Sequence, residues 1–360
     1  MTPSHLARSL GSHHAGLPRG TRRVALDLAA AAAGAATRLT GKVHRDDADA
    51  VAGHLLLPLV MGDDAMSVPP RPVDGGGWAH VDVVPDDRQL LELLARDATD
   101  AEDLAARAQE CRLPVTPYRS GPAAWSWAPP VVARSRELDP GDVRVLDLTA
   151  MWAGPLATAQ LAAWGASVTT VEPPFRPDGQ RRSPRQFAAL DVGKRRVSWD
   201  LRVPVDRARF EDAVGAADVL VESFSSRVMA NLGYAPDALR RVNPGVALVS
   251  VRAFPPSSAE ASWVAFGRGV HAASGLGIVE GRPAPAQLAY PDALAGLLTF
   301  GAVLDAIAGE PPATIEVSLA AAVAPLLPTA GRPLAAADPA TVDRLRVATG
   351  GRPGGVIVAA

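Results

Sequence analysis

The stretch VRVLDLTAMWAGPLATAQLAAWGASVTTVEPP, residues 143–174, decides the fold. It begins with an apolar run, continues through a turn that holds Gly154 and Pro155, passes an Ala/Leu-rich segment and ends in a second apolar run. This order predicts a strand, a loop, a helix and a strand. A βαβ unit of this kind opens a parallel sheet, and such sheets bind ligands beyond the carboxyl ends of their strands.

The alternation of strands and helices continues after this unit. We therefore expect an α/β fold, in which a doubly wound Rossmann-like parallel sheet is joined by a smaller α+β domain. The strands that we predict are 143–148, 167–172, 196–201, 218–222, 246–252 and 313–317, and the main helices are 155–164, 204–215, 226–241 and 292–308.

The division into domains follows from composition. Residues 78–118 show an alternating strand, two amphipathic helices and a short strand restricted by prolines. A stretch rich in Ser, Gly, Pro and Trp follows, which is typical of a linker. The predicted boundaries are a flexible tail at 1–22, a small α+β region at 23–118, a linker at 119–140, the Rossmann-like domain at 141–330 and a C-terminal tail at 331–360.

Charge and cysteine content exclude several functional classes. The formal net charge of −2 over 360 residues gives no basic excess for nucleic acid or an anionic membrane. One cysteine, Cys111, allows neither a disulfide framework nor a thiolate metal site within one chain, so we expect no metal. No apolar core typical of a signal peptide precedes Arg23, and the late apolar runs are interrupted by acidic residues, so we expect a cytoplasmic protein without a membrane span.

Familiar nucleotide and hydrolase signatures are missing from the sequence. The first strand of the sheet is not followed by G-x-G-x-x-G, and the chain has no Walker-type Gly-Lys-Ser/Thr, no G-x-S-x-G and no H-E-x-x-H. The predicted sheet therefore gives no direct reason to expect NAD or ATP.

Six segments, taken in order, resemble the class III CoA-transferase family, which also contains the α-methylacyl-CoA racemases. Their order along one chain makes the resemblance specific for residues 143–319. The segments are LDLTAMWAGPLATAQLAAWGASVTTVEPP (146–174), LDVGKRRVSWDLR (190–202), ADVLVESF (217–224), LGYAPDALRRVNPGVALVSVRAF (232–254), PDALAGLLTFGAVLDAI (291–307) and IEVSL (315–319).

The resemblance implies that Asp292 is the catalytic nucleophile. In this family a carboxylate in a D-x-x-x-G setting attacks the acyl-CoA carbonyl, and Asp292 and Gly296 match that setting. A carboxylate after Tyr290 and Pro291 would lie at a helix N-terminus, where the helix dipole favours the charged form. The alternative from the residues alone is that Asp292 is an N-cap.

The resemblance also implies where CoA binds. Basic residues in 181–196 suit the phosphates of the nucleotide, and glycines suit a close approach of backbone to the pantetheine arm. Ser225, Ser226 and Arg227 replace the R-P-G that is typical of the family. The candidate CoA-binding residues are Gly154, Pro155, Lys194, Arg195, Arg227, His271 and Gly296.

The first half of the chain resembles the family in a different order. Segments 75–95 and 100–120 resemble the family's small domain, which normally follows the sheet domain. We therefore predict a permuted arrangement. The family forms interlocked dimers, so the resemblance implies a homodimer of this kind.

Three functions remain open. The first is transfer of CoA between carboxylic acids through an aspartyl anhydride and an aspartyl-CoA thioester, with acyl-CoA and carboxylic acids as substrates and no cofactor. The second is racemisation or isomerisation of an acyl-CoA, which Phe266 disfavours because it stands where the racemases carry a histidine base. The third is a catalytically weak CoA-binding paralogue that serves as a partner subunit.

Overall fold

The computed structural model describes residues 68–125, 139–286, 288–309 and 313–332. The predicted tail at 1–22, the region 23–67, residues 126–138 of the predicted linker and most of the predicted tail at 331–360 lie outside the described residues.

A small antiparallel sheet with two helices forms the first described unit. Its order is β1-β2-β3, and both helices pack on it through Leu91, Leu104 and Ala108. The Asp100 side chain caps the second helix by accepting a hydrogen bond from the Asp103 backbone N–H, which fixes where that helix begins. The elements are β1 (Arg71–Pro72), β2 (Trp78–Val81), α1 (Arg88–Arg96), α2 (Ala101–Glu110) and β3 (Val115–Pro117).

The second unit is a six-stranded parallel sheet with helices packed on it, which confirms the predicted fold class. Gly165 ends the first of its helices with a φ of 116°, a left-handed conformation that suits glycine. Its elements are β4 (Arg144–Leu148), α3 (Ala153–Trp164), β5 (Ser167–Glu172), α4 (Pro184–Asp191), β6 (Lys194–Ser198), α5 (Pro204–Ala216), β7 (Val219–Glu222), α6 (Val228–Asn231), α7 (Pro236–Val242), β8 (Ala247–Arg252), α8 (Gly267–Ala273), β9 (Ile278–Val279), β10 (Arg282–Pro283), α9 (Tyr290–Ala308), β11 (Thr314–Ser318) and α10 (Leu319–Val323). Strands β9 and β10 pair with each other in a separate antiparallel ribbon.

The strand order places a crevice beside β4. The sheet order is β11-β8-β7-β4-β5-β6, so the chain runs outward from β4 on one side and then returns to build the other side. β4 pairs in parallel with both β5 and β7. The carboxyl end of β4 is therefore the topological switch point, where sheets of this type bind ligands.

The long helix α9 is buried almost all round. Its residues contribute to two core clusters, one shared with α3 and one beneath the sheet. Among the described helices, it alone is long and apolar enough to cross a membrane, and most of its length is buried inside the protein, as in a core helix. At Gly296 it approaches α3 so closely that a Cβ would lie 2.8 Å from Leu156 Cδ2 and 2.9 Å from the Ala153 carbonyl oxygen.

The small sheet docks on α8 and the loop before it. The Thr116 hydroxyl donates to the Gly269 carbonyl at 3.1 Å, and the Arg119 backbone N–H donates to Ala272 O at 3.1 Å. The Gln109 side chain donates to the Val264 carbonyl and accepts from its N–H. These contacts connect residues more than 140 positions apart, so the first half of the chain helps to position α8.

Candidate active site

Asp292 lies in the first turn of α9, after Pro291, and its side chain is 6% exposed. Ala289 occupies the N-cap, and the Asp292 backbone N–H donates to its carbonyl at 3.1 Å. Asp292 is therefore not the N-cap of its helix. Its carboxylate is free of that structural task, while the helix dipole still favours its charged form.

A second helix begins at the same carboxylate. The Gly267 N–H, the first of α8, donates to Asp292 Oδ2 at 2.9 Å. A Cβ on residue 267 would overlap with Oδ2 and would lie 3.1 Å from Asp292 Cγ. Glycine is thus required here by the close approach, and two helix N-termini converge on one carboxylate.

Burial raises the pKa of the Asp292 carboxyl to about 7. The Gly267 N–H opposes this shift, the negative charge of Asp82 adds to it, and the positive charge of Arg268 opposes it. At neutral pH both protonation states of Asp292 are populated. A buried carboxyl that titrates near the working pH is typical of functional sites.

His271 is a fully buried core residue. Its Nε2 lies 2.9 Å from the Ala284 carbonyl, which only accepts, so Nε2 carries the hydrogen. Nδ1 then accepts from the Tyr290 hydroxyl at 2.9 Å. Burial lowers the pKa of His271 to about 4, so the ring is neutral at physiological pH. Both nitrogens are used inside the protein, so these contacts favour a structural role. Its contact with CoA stays a prediction.

Gly154 and Pro155 lie at the switch point, buried in the first turn of α3 and not in the predicted turn, because the helix already begins at Ala153. A Cβ on Gly154 would collide with the Thr149 side chain, which explains the glycine by packing. The preceding Met151 has a φ of 69°, an uncommon conformation for a residue with a side chain. Backbone strain of this kind is found at ligand sites. Contact of Gly154 and Pro155 with CoA stays a prediction.

Lys194 lies inside the protein and not on a nucleotide-binding surface. Its Nζ donates to the Thr158 hydroxyl at 2.7 Å and to the Pro155 carbonyl at 2.8 Å, and it lies 3.4 Å from Asp147 Oδ2. Burial lowers the pKa of Lys194, and the charge of Asp147 opposes that effect. These contacts weigh against the predicted role in CoA binding.

Arg195 and Arg227 are both exposed, Arg195 on the edge strand β6 and Arg227 just before α6. Gly296 lies one turn after Asp292 on α9, where its contact with Leu156 gives it a packing role. The structure therefore brings Asp292, Gly296 and the first turn of α3, with Gly154 and Pro155, into one region. The contacts of both arginines with CoA stay predictions.

Four residues of this region were not predicted from the sequence to belong to the site. Gly267 was hidden among several glycines, although its position after Phe266 marks the start of a helix. His80 on β2 and Asp82 just after it form an H-x-D pair, and the alternation of that segment was a usable signal. Asp147, in the middle of an apolar strand, gave no local signal of its partners. Among the described residues, no group of three or more potential metal ligands occurs.

A profile of CoA-transferase family III matches residues 141–339, more than half of the chain. The chain is similar to a succinyl-CoA:mesaconate CoA-transferase of Haloarcula hispanica, with 38% identity over 124 residues, which are 31% of each protein. It is also similar to a succinate–glutarate CoA-transferase of Agrobacterium fabrum, with 30% identity over 183 residues, which are 46% of each. The matched segments thus span less than half the length of these relatives.

Two solved structures are also similar to the chain. A hypothetical protein of Mycobacterium tuberculosis is 27% identical, with a TM-score of 0.48, over 55% of this chain and 57% of that one. A CAIB/BAIF family protein of Brucella suis is 22% identical, with a TM-score of 0.48, over 52% and 55% of the two chains.

Proposed function

The chain belongs to CoA-transferase family III, and on this premise we propose that it transfers CoA from an acyl-CoA to a carboxylic acid through covalent intermediates on Asp292. The observation that carries this proposal is the setting of one carboxylate. Asp292 is buried, does not cap its own helix, and accepts a hydrogen bond from the first N–H of a second helix. A carboxylate held in this way is oriented as a nucleophile and shielded from water.

The proposed reaction proceeds without net proton transfer. Asp292 Oδ attacks the thioester carbonyl, the C–S bond breaks, and CoA leaves as a thiolate. A mixed anhydride between Asp292 and the acyl group remains. The thiolate then attacks the Asp292 carbonyl carbon, which releases the first carboxylate and leaves an aspartyl-CoA thioester. The acceptor carboxylate attacks this thioester, which releases the CoA thiolate and forms a second anhydride. The thiolate then attacks the acyl carbon of the acceptor in that anhydride and becomes the new acyl-CoA. Asp292 is then regenerated as a carboxylate.

The two helix N-termini serve this sequence of steps electrostatically. Negative charge lies on Asp292 before attack and is present in each tetrahedral intermediate. The Gly267 N–H, 2.9 Å from Oδ2, is fixed before the reaction and needs no reorganisation. The pKa near 7 leaves an ionised fraction at neutral pH and makes that anion a better nucleophile than an exposed aspartate.

We infer that CoA enters along the carboxyl edge of the sheet. Gly154 and Pro155, in the first turn of α3, would face the pantetheine arm, and the exposed guanidinium groups of Arg195 and Arg227 would be available to the phosphates. Lys194 contributes indirectly in this proposal, because its bond to the Pro155 carbonyl at 2.8 Å holds that turn in place.

We also propose that the small sheet replaces the family's small domain in a permuted chain, and that two chains form an interlocked homodimer in the cytoplasm. The contacts of Thr116 and Gln109 with the region around α8 support the first point, since they place the small sheet beside Asp292. Light scattering tests the dimer, and a monomeric mass at micromolar concentration would reject it.

Trapping of the acyl-enzyme tests the function. The protein is incubated with an acyl-CoA and hydroxylamine, digested and analysed by mass spectrometry. We expect a hydroxamate on Asp292 and none in samples without acyl-CoA or with Asp292→Asn. The names of the two relatives suggest starting with succinyl-CoA, and with mesaconate or glutarate as acceptor.

Other outcomes of this experiment point to the other functions. Measurable CoA binding without any hydroxamate indicates a binding paralogue and rejects the transferase proposal. In a separate incubation with acyl-CoA in deuterated water, uptake of deuterium at the acyl α-carbon without transfer indicates an isomerase.

A further inference from the structure

His80 is a buried histidine with one nitrogen unused. Its side chain is 1% exposed, and Nε2 lies 2.9 Å from Asp82 Oδ2. A carboxylate only accepts, so Nε2 carries the hydrogen, and Nδ1 of the neutral ring has a free lone pair. Among the residues that the structure describes, Nδ1 has no hydrogen-bond partner. Buried nitrogens without partners are rare in folded proteins and call for an explanation.

The register of the small sheet places this histidine toward α8. His80 stands directly opposite Thr116 in the β2–β3 pair, and opposed residues project from the same face of a sheet. The Thr116 hydroxyl bonds to Gly269 of α8 at 3.1 Å, two residues after the glycine that holds Asp292. The face that carries His80 is therefore the one packed on α8, the helix whose first N–H binds the Asp292 carboxylate.

The charged and titratable groups around His80 form one electrostatic cluster. The charge of Asp82 raises the pKa of Asp292, Arg268 lowers it, and a charge on His80 lowers the pKa of His271. Tyr118, in edge contact with the His80 ring at 6.4 Å, has its pKa raised by burial and further by Asp82. The titratable groups that interact directly with His80 are thus Asp82, Tyr118 and His271, and Asp82 and Arg268 in turn act on Asp292.

The two buried histidines of this region differ in one decisive way. His271 uses both ring nitrogens within the protein, whereas His80 uses one and is oriented by a carboxylate on the other side. An imidazole oriented by an aspartate, with its second nitrogen free, is the arrangement that accepts a proton beside a nucleophile.

We propose that His80 is a positioning residue for Asp292: its Nδ1 binds the proton that leaves the Asp292 carboxyl, so that the His80–Asp82 pair becomes neutral and a larger fraction of Asp292 is ionised. This deepens the proposed function, since it explains how ionisation of a buried nucleophile is favoured beside the carboxylate of Asp82. One proton moves from an Asp292 oxygen to His80 Nδ1, and no bond other than O–H and N–H changes.

Two variants separate this role from a merely structural one. His80→Gln keeps an N–H toward Asp82 and removes the basic nitrogen, so Asp292 then faces the uncompensated charge of Asp82. Asp82→Asn removes the negative charge and, with it, the reason for His80 to hold a proton. The charge felt by Asp292 therefore changes in the first variant and not in the second.

The measurement is a titration of Asp292 by ¹³C NMR in the full chain, with labelled aspartate Cγ atoms and assignment from Asp292→Asn. We expect the midpoint of Asp292 to rise by about one pH unit in His80→Gln and to stay within about 0.3 unit of the wild type in Asp82→Asn and in the double variant. Asp74→Asn, which removes an exposed charge from the same small unit, is the control and leaves the midpoint unchanged.

The opposite pattern overturns the proposal. If His80 is neutral while Asp292 titrates, His80→Gln leaves the midpoint unchanged and Asp82→Asn lowers it. If His80→Gln does not fold, Asp82→Asn alone decides between the two patterns. The titration needs no acyl-CoA, so it gives its answer even in a protein that forms no covalent adduct.

Discussion

Asp147 and Asp292 are both buried aspartates, yet their surroundings are opposite. Asp147 is fully buried on β4 and accepts bonds from the Thr149 N–H and hydroxyl and from the hydroxyls of Thr158 and Thr170, with Lys194 at 3.4 Å. Asp292, at 6% exposure, accepts from the Gly267 N–H and has no comparable set of donors among the residues that the structure describes.

The difference shows how the same side chain serves structure in one place and chemistry in another. A buried carboxylate that is surrounded by donors and a counter-ion joins β4, α3, β5 and β6. A buried charge with fewer partners is costly to ionise, which is why the pKa of Asp292 rises to about 7. Because few protein groups bind that carboxylate, it can react with a substrate.

The largest expected effect separates the two aspartates by activity. Asp292→Asn removes the nucleophile, so we expect the rate of CoA transfer to fall by about 10³-fold or more, with the fold intact by circular dichroism. Asp147→Asn, assayed where it is folded, retains transfer within about tenfold of the wild type. A rate in Asp292→Asn within tenfold of the wild type would contradict the nucleophile role.

Stability should distinguish the two aspartates in the opposite way, with the larger effect at the Asp147 site. Lys194→Met leaves Asp147 as an uncompensated buried charge, so we expect the free energy of unfolding to fall by about 3–5 kcal/mol in urea titrations. The neighbouring exposed residue provides the control, since Arg195→Met should change the free energy of unfolding by less than about 0.5 kcal/mol. Equal stability of the two variants would mean that Lys194 is not held in the interior.

The pH dependence of stability provides a third comparison. The pKa of Asp292 in the folded protein is about 7, against 3.8 for an ordinary aspartate. Because the folded pKa is raised, the stabilisation is complete below about pH 4 and is lost as pH rises through about 7. Asp292→Asn does not ionise, so between about pH 4 and pH 8 its stability relative to the wild type should rise by roughly 4 kcal/mol.

Urea unfolding at several pH values checks this expectation. The shift of His271 has the opposite sign, but it is present in both proteins and cancels in the difference. A difference that stays constant from about pH 4 to pH 8 would show that the Asp292 carboxyl is not destabilised by burial.

The smallest effect concerns the contact that orients Asp292. A methyl group in Gly267→Ala must displace the carboxylate, so we expect transfer to fall by about 10²-fold while the protein stays folded. Gly215→Ala is the matched control, because a Cβ there meets no atom within 4 Å, and its rate should equal that of the wild type. Steady-state kinetics of both variants test the contact. Equal rates would contradict the role of Gly267 in orienting the Asp292 carboxylate.

The sheet could be predicted from the sequence because its strands are short apolar runs separated by clear turn residues. The exceptions have local causes. Strand β6 begins at Lys194 and not at 196, since an edge strand tolerates polar residues. The predicted helix 226–241 is divided into α6 and α7, because Gly233 adopts a φ of 86° and Pro236 starts a new helix.

The site was predictable only in part. Asp292 stood out through its resemblance to a family motif, whereas its partners come from distant segments. Gly267 lies 25 residues away, and Asp82 belongs to the small sheet at the other end of the chain. Lys194 illustrates the same limit, since a cation in a basic run gave no sign that Asp147, 47 residues earlier, would hold it inside.

The most direct test of the central claim follows oxygen atoms. An acceptor carboxylate labelled with ¹⁸O is turned over with an acyl-CoA, and the peptide that contains Asp292 is then weighed by mass spectrometry. In the proposed sequence of steps the donor acid removes one oxygen from Asp292 and the acceptor leaves one of its own there in each turnover, so that peptide gains one ¹⁸O after one turnover and up to two after several, while the peptide that contains Asp147 gains none. Transfer of CoA to the acceptor without ¹⁸O in Asp292 would contradict the account.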